Sequence, residues 1–428
     1  MSRSDDVLIV GAGQAAAQLA CSLREAGHQG SITLVGDEPA PPYQRPPLSK
    51  GFLTGAADED SLALRAPGYW QANGIDLLLG ETVVEVDRGA GAGGRALTAS
   101  GRELVFDRLV LATGAAPRRL DVPGAQADGV VVLRTLADAA DLRRRLATAR
   151  DVVVVGGGFV GLEVAATATV LGARVTVLEA GPRILGRAVS EATSRYLTDH
   201  HRATGIAVHT DVSVTEIVSA GAGRVVAVRT ADREIPADLV LVGVGADPRC
   251  ELAERLGLQV DDGIVVDEHL LASDGTTIAI GDCAVAVDPT PWADLDASAP
   301  CRVRLESVDH AVTQAASAVR TVLGEPSPHV SVPWFWSDQG TAKLQIVGLR
   351  RPGDRATVRP AGPGRLVVGF HRAGRLVAAE VVGSPADFMA LRTLLGAGHP
   401  VPADVFADGD VVLRQLAKDA RQGSISAC

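Results

Sequence analysis

The chemistry most plainly written in this sequence lies in two glycine runs. The first, VLIVGAGQAAAQLACSLREAG, places Gly11, Gly13 and Ala16 at the positions of G-x-G-x-x-[GA]. The second, VVVVGGGFVGLEVAATATVLGARVTVLEA, places Gly156, Gly158 and Gly161 there, with Phe159 and Val160 between them. One such run is weak evidence, because glycine-rich turns are common. Here each follows a strand-like apolar run, opens an apolar helix, and is followed by an acidic residue at the end of the next strand. That context is the one a dinucleotide needs. The first glycine makes the tight turn, the second lets backbone N–H groups approach a pyrophosphate at the positive end of a helix, and the third lets helix and strand pack closely. Two such units imply two dinucleotides on one chain. The acidic residues are Asp37 and Glu38 in the first unit and Glu179 in the second, each placed to accept hydrogen bonds from ribose hydroxyls.

Other residues stand out by scarcity. Only three lysines occur, Lys50, Lys343 and Lys418, so nearly all the basic charge is arginine. Glu163 is the single acid in the apolar stretch GFVGLEVAATA and needs a partner or a cavity. Aromatic residues make up 3% of the chain, yet Trp334, Phe335 and Trp336 are adjacent. The five cysteines, Cys21, Cys250, Cys283, Cys301 and Cys428, show no C-x-x-C and no metal spacing. The histidines, His200, His201 and His310 among them, show no ligand spacing either, and read as structural or surface residues.

The elements that must position these groups follow from pattern. A chain of 428 residues, 46% hydrophobic and 21% charged, has the composition of a soluble globular protein with two or three domains. Apolar runs such as Val152 to Val155 are strand-sized, far short of the ~20 residues of a membrane span. MSRSDD followed directly by VLIV lacks the layout of a signal peptide. With scattered cysteines, the expected location is a reducing cytoplasm. A net charge of −10 argues against a nucleic-acid partner.

Both glycine units alternate strand and helix, which predicts parallel sheets. PAPPYQRPPLSK, residues 39 to 50, is too proline-rich for regular structure and reads as a loop. RGAGAGG reads as a hairpin turn between strands at 81–86 and 102–106, and SAGAGR as a second glycine-rich tip. A helix is expected over 307–323. From residue 333 onward the strands KLQIVGL, RLVVGF and RLVAAEVVG, then a helix over 387–395, describe a separate α+β domain without a glycine fingerprint.

Several motifs appear in order: RPPLSK (Arg45 to Lys50), ATGAAPR (with Thr113 and Gly114), GVGADP (with Gly245), GDCA (with Asp282), LESV (ending in Val308) and PWFWSDQ (Pro333 to Gln339). Together with the two fingerprints they make the chain resemble the FAD-dependent, NADH-consuming ferredoxin reductases. These serve bacterial haem-thiolate monooxygenases and ring-hydroxylating dioxygenases. ATG and GD are shared by a wider flavoprotein class, whereas RPPLSK with PWFWSDQ is much narrower.

The resemblance implies a two-dinucleotide α/β fold. Residues 1–113 and 247–325 would form a discontinuous FAD domain, 114–246 an inserted NAD domain, and 326–428 a third, α+β domain. It places Ala15, Asp37, Arg45, Val83, Arg134, Asp282 and Val308 at the FAD, the two valines mainly through their backbone. Asp282 is expected to be buried against the ribityl–pyrophosphate region. Lys50 would lie beside the reactive flavin nitrogen and pair with Glu163, its ammonium offsetting the negative charge that hydride transfer leaves on the ring. Glu179 would favour NADH by repelling a 2′-phosphate, with Arg183 and Arg187 close enough to soften that choice. At least one of Trp334 and Trp336 would border the flavin. Alternation does not distinguish them, since both fall on one strand face.

The implied activity is electron transfer from NADH through FAD to a 2Fe-2S ferredoxin, by a monomer or weak homodimer with no nucleic-acid or membrane partner. Ferredoxins are usually acidic, so a local basic cluster is expected, with Arg392, Arg414 and Lys418 as candidates. The competing readings are an NADH oxidase or other disulfide-type flavoenzyme, and an apoptosis-inducing-factor-like flavoprotein. The first needs reactive cysteines near the flavin, which PAPPYQRPPLSK does not contain. The second would normally carry targeting or basic nuclear segments.

Overall fold

The computed structural model describes residues 5–88, 93–221, 223–296 and 301–425. The first four residues, the centre of RGAGAGG, Ala222 of SAGAGR, and Cys428 lie outside the described residues. The chain forms two compact units, one of residues 1–44, 59–116 and 247–333, the other of residues 45–58, 117–246 and 334–428.

In the first unit a five-stranded sheet runs in the order Ile278–Ala279, Arg108–Leu111, Val7–Val10, Ile32–Gly36, Ile75–Leu79. Every pairing is parallel, as the alternation of strand and helix predicts. The central strand, Val7–Val10, is buried along its whole length, as a parallel strand covered on both faces must be. Helix Gln14–Glu25 follows it and packs on helix Val308–Val322. Both helices bring small buried residues to the same core cluster, Ala16 and Ala20 from one and Ala311, Ala315 and Ala318 from the other. A three-stranded antiparallel sheet, Val83–Arg88, Gly94–Thr98 and Glu103–Phe106, completes this unit's larger elements.

The second unit repeats the device. Its parallel sheet runs Ala207–His209, Arg174–Leu178, Asp151–Val155, Leu239–Val242, Val130–Val131. Helix Phe159–Val170 follows the second glycine run and is buried from Gly161 to Ala168. The tail adds an antiparallel sheet in the order Trp334–Gln339, Ala342–Gly348, Arg375–Val382, Leu366–Arg372, Arg355–Arg359, then helices Pro385–Gly396, Ala403–Ala407 and Leu413–Ile425. Although its sequence pattern differs, the tail shares a core with the second glycine segment: Leu344 and Val382 pack in one cluster with Val154, Leu162 and Leu197. Glu380, 1% exposed on the tail's strand, accepts from the Ser190 N–H (2.8 Å) and hydroxyl (2.6 Å) at the start of helix Glu191–Ala203. A carboxylate at a helix N-terminus is favourably placed.

One local expectation is corrected. RPPLSK is not irregular: Pro46–Ser49 forms a 3₁₀ turn running into the short helix Gly51–Thr54. Prolines fit the first positions of a helical turn, where the N–H has no partner to lose. A further strand, Arg355–Arg359 at the sheet edge, is not evident from pattern: it begins and ends on arginine, with Arg355 exposed and Arg359 buried.

His201 and His310 are fully buried, so of the two roles read from sequence theirs is structural. Both ring nitrogens of His310 lack a protein partner, and burial pushes it down to about 3 from an ordinary 6.5. His329, whose Nδ1 lies 2.9 Å from the Ser317 hydroxyl, is pushed down to about 4 by burial. A depressed histidine leaves stability intact above its unfolded value and removes it as pH falls toward the folded one. The window is therefore 6.5 down to about 4 or 3. At pH 5 each should cost about 2 kcal/mol relative to pH 7. Thermal melts of the cofactor-loaded protein should show His310→Asn with a flatter decline from pH 7 to 5 than the parent. Parallel declines would contradict this.

Candidate functional site

Both glycine turns are built by close backbone approach. Gly11 has φ +120°, and a Cβ there would lie 2.1 Å from the Ala112 carbonyl oxygen, so only glycine fits against the ATG segment. Gly156 repeats this with φ +104° and 2.4 Å to the Gly243 oxygen. Gly161 allows helix and turn to touch, its Cβ position being 2.5 Å from the Gly156 oxygen. Beyond each turn the space opens. Nothing lies within 4 Å of a Cβ at Gly13, and only the Gly243 oxygen, at 3.7 Å, near one at Gly158. These glycines are the N-caps of the two fingerprint helices, and neither helix start has a side-chain cap. By contrast, helices Leu136–Leu146, Glu191–Ala203 and Val308–Val322 are capped by Thr135, Ser190 and Ser307. Two open, uncapped helix starts, each reached by a glycine turn, fit the pyrophosphates of two dinucleotides.

Around the first turn, the GDC segment brings Gly281 beside Ala15, with Cβ to Cβ at 3.1 Å were Gly281 to carry one. The Gly281 N–H donates to Gln314 Oε1 at 2.7 Å from helix Val308–Val322. Asp282 is half-buried in the 3₁₀ turn Gly281–Cys283. Asp37 follows strand Ile32–Gly36 and pairs with Arg249 at 2.7 Å. Arg249 is itself tied to the ATG turn: its carbonyl accepts from the Thr113 hydroxyl at 2.7 Å, and its N–H donates to Gly114 at 2.9 Å. Glu38 accepts from the Tyr43 hydroxyl at 2.5 Å. Val83 is buried at the start of its strand, and Val308 opens its helix half-buried.

Around the second turn, both Glu179 oxygens accept backbone N–H groups at 2.7 Å, Oε2 from Gly157 and Oε1 from Gly181. The carboxylate thus stands directly over the fingerprint. Arg183 faces its own loop, donating to the Val189 carbonyl (2.8 Å) and to that of Gly186, while Arg187 is exposed. Phe159 packs on Phe335 with centroids 4.5 Å apart, and Val160 stays 43% exposed. Gly245, φ +117°, accepts from the Arg118 N–H at 2.9 Å.

The second unit also gathers the scarce residues. Lys50 Nζ lies 2.7 Å from Glu163 Oε2, with side chains 21% and 6% exposed. The Ser49 hydroxyl donates to the same oxygen at 2.5 Å, and the Ser337 hydroxyl to Oε1 at 2.7 Å. Lys50 also donates to the Pro46 carbonyl at 3.1 Å, and Thr167 to the Ser49 carbonyl at 2.9 Å. Arg45 donates to the Arg134 carbonyl at 2.6 Å. Trp334 and Trp336 share a strand face, as expected, and stack with centroids 5.2 Å apart. Arg392 lies 4.7 Å over the Trp334 ring, a cation–π distance, while Arg414 and Lys418 are exposed on helix Leu413–Ile425.

Four residues escaped the sequence reading: Arg249, Gln314, Ser337 and Gln339. Gln314 falls within the helix expected after LESV, and Ser337 and Gln339 within PWFWSDQ, but polar residues there read as solvent-facing. Arg249 had no signal beyond its place next to GVGADP.

Residues 5–315 match the family model described as pyridine nucleotide-disulphide oxidoreductase, and residues 334–417 match that described as reductase C-terminal. Rhodocoxin reductase from Rhodococcus erythropolis is 42% identical over 410 residues, covering 95% of this chain and 93% of that protein. A crystal structure of a ferredoxin reductase from Rhodopseudomonas palustris is similar with TM-score 0.90 and 41% identity, covering 96% of this chain and 100% of that one. Putidaredoxin reductase, solved in covalent complex with putidaredoxin, is similar with TM-score 0.91 and 37% identity, covering 98% and 100%. The folds agree, and the similarity spans nearly the whole chain. The chain is a flavoprotein oxidoreductase and belongs to the NADH-dependent, FAD-containing ferredoxin reductase family.

Proposed function

We propose that this protein takes reducing equivalents from NADH at FAD and delivers them to a 2Fe-2S ferredoxin that feeds a monooxygenase or a ring-hydroxylating dioxygenase. The observation carrying this reading is the pair of open, uncapped fingerprint helices, with no cysteine pair joined, or closely spaced in sequence, among the described residues. Among the described residues the four cysteines are free. Burial pushes the Cys250 thiol up to about 12 and raises that of Cys283, so neither supplies the thiolate that disulfide chemistry needs. Cys21 is packed inside the first fingerprint helix. Bound FAD accepts two electrons as hydride and releases them singly, which suits an iron–sulfur acceptor.

Residues 1–113 and 247–325 form the FAD-binding portion, 114–246 the NAD-binding portion, and 326–428 the third domain. Gly11, Gly13, Ala15 and Ala16 hold the FAD pyrophosphate, and Asp37 its ribose. Thr113, Gly114, Asp282, Val83 and Val308 serve the rest of the cofactor, with Arg45 and Arg134. Gly156, Gly158, Phe159, Val160, Glu179 and Gly245 hold NADH. The Lys50 ammonium, kept in place by Glu163, stabilises negative charge on the reduced ring, and Trp334 or Trp336 borders the flavin. The protein works in the cytoplasm as a monomer or weak homodimer; among the described residues no helix is long and apolar enough to cross a membrane.

The ferredoxin assignment is tested by anaerobic, NADH-dependent bleaching of a panel of 2Fe-2S ferredoxins. Reduction of at least one is expected, with ferricyanide as an artificial acceptor and little turnover of oxidised glutathione or peroxide. Rapid disulfide or peroxide turnover with no ferredoxin reduced would refute it. For Glu179, repulsion of a 2′-phosphate at an effective dielectric near 20 amounts to about 3 kcal/mol. Glu179→Gln should therefore narrow the NADH-over-NADPH ratio of kcat/KM by about tenfold or more. An unchanged ratio would remove Glu179 from the specificity role.

A further inference from the structure

The strand Trp334–Gln339 alternates in an unusual way. Its aromatic face carries Trp334 and Trp336, while the opposite face carries Ser337 and Gln339 into the protein interior, both 0% exposed. Apolar residues would be ordinary there, and buried polar side chains are costly unless fully paired. These are paired, and in a row. His201 Nε2 lies 2.8 Å from Gln339 Oε1, Gln339 Nε2 donates to Ser337 Oγ at 3.2 Å, and the Ser337 hydroxyl donates to Glu163 Oε1 at 2.7 Å. The far oxygen of Glu163 meets Lys50 and Ser49.

Only one set of donors satisfies this row. The Glu163 carboxylate, beside Lys50, is an acceptor, so Ser337 must donate to it. Ser337 Oγ then accepts from the Gln339 amide, which leaves Gln339 Oε1 to accept the Nε2–H of a neutral His201. Burial lowers the affinity of His201 for a second proton, in keeping with that neutral form. Its Nδ1 has no protein partner, so the row ends at His201. Three hydrogen bonds therefore point the same way, each polarising the next toward one carboxylate oxygen.

We propose that Ser337 is a positioning residue for the flavin-directed lysine. Its hydroxyl, oriented by Gln339 and His201, fixes the Glu163 carboxylate so that the opposite oxygen holds the Lys50 ammonium. The tail thereby completes the lysine's site from the side opposite RPPLSK. This rests on the reading of Lys50 as the cation that serves the reduced flavin.

The test is a double-mutant cycle on the FAD-loaded full chain, reading the stopped-flow rate of flavin reduction by NADH alongside FAD content and NADH affinity. Lys50→Gln removes the charge while leaving Glu163 a donor. Ser337→Ala should slow reduction by about tenfold, the worth of a hydrogen bond to a charged group, with FAD content and NADH affinity unchanged. Ser337→Thr, which keeps the hydroxyl, should restore the rate. In the Lys50→Gln background, Ser337→Ala should have no further effect. Gln339→Leu, which leaves the serine hydroxyl without its orienting donor, should slow reduction by a smaller factor and serves equally if Ser337→Ala does not fold. If Lys50→Gln is slow but Ser337→Ala and Gln339→Leu match the parent, or if their effects persist undiminished without Lys50, the positioning role is wrong. If Lys50→Gln itself matches the parent, the reading of Lys50 fails instead.

Discussion

A carboxylate buried in an apolar helix must be satisfied on both oxygens, and much of the second unit is arranged around that requirement. Glu163 sits in helix Phe159–Val170 among Leu162, Val164 and Ala165, all buried. Left unpaired it would cost several kcal/mol. Two pieces of chain far from it in sequence supply what it needs: Ser49 and Lys50 from the proline-rich loop, whose Ser49 carbonyl is held by Thr167 of the same helix as Glu163, and Ser337 from the tail. Without the 3₁₀ turn Pro46–Ser49, Ser49 and Lys50 would not present both donors to one oxygen. The ion pair is thus a structural lock and, by the proposed function, the support of the one lysine with a chemical task.

The second recurring device is close backbone approach at the carboxyl end of a parallel strand. Gly11 against the Ala112 carbonyl and Gly156 against that of Gly243 are the same solution reached twice. Each places an uncapped helix start beside an open space, and each has a carboxylate, Asp37 or Glu179, at the end of the neighbouring strand. The carboxylates differ in their partners. Asp37 is paired with a guanidinium, whereas Glu179 takes two backbone N–H groups at the turn itself. That contrast agrees with distinct cofactors at the two turns.

Legibility followed the range of the interaction. Glycine fingerprints, parallel strands and the helix following LESV were readable because their causes are local: turn conformation, apolar runs, capping serines. The partnership of Lys50 with Glu163 came from family resemblance, for nothing local links residues so distant in sequence. Ser337, Gln339 and His201 were harder still, since a polar residue on a strand looks like a solvent-facing one until the other face is seen to carry Trp334 and Trp336. The edge strand Arg355–Arg359 was hidden because arginine stands at both of its ends, one exposed and one buried.

The central claim is that Glu163 holds the Lys50 ammonium in one place. With only three lysines in the chain, ¹⁵Nζ-lysine NMR reads this directly. Exposed ammonium protons exchange too fast with water to be seen near neutral pH, whereas one held by buried acceptors exchanges slowly. The account predicts a single Nζ–H signal in the FAD-loaded protein that is lost in Glu163→Gln. A spectrum without that signal, or one in which it survives Glu163→Gln, would contradict the account.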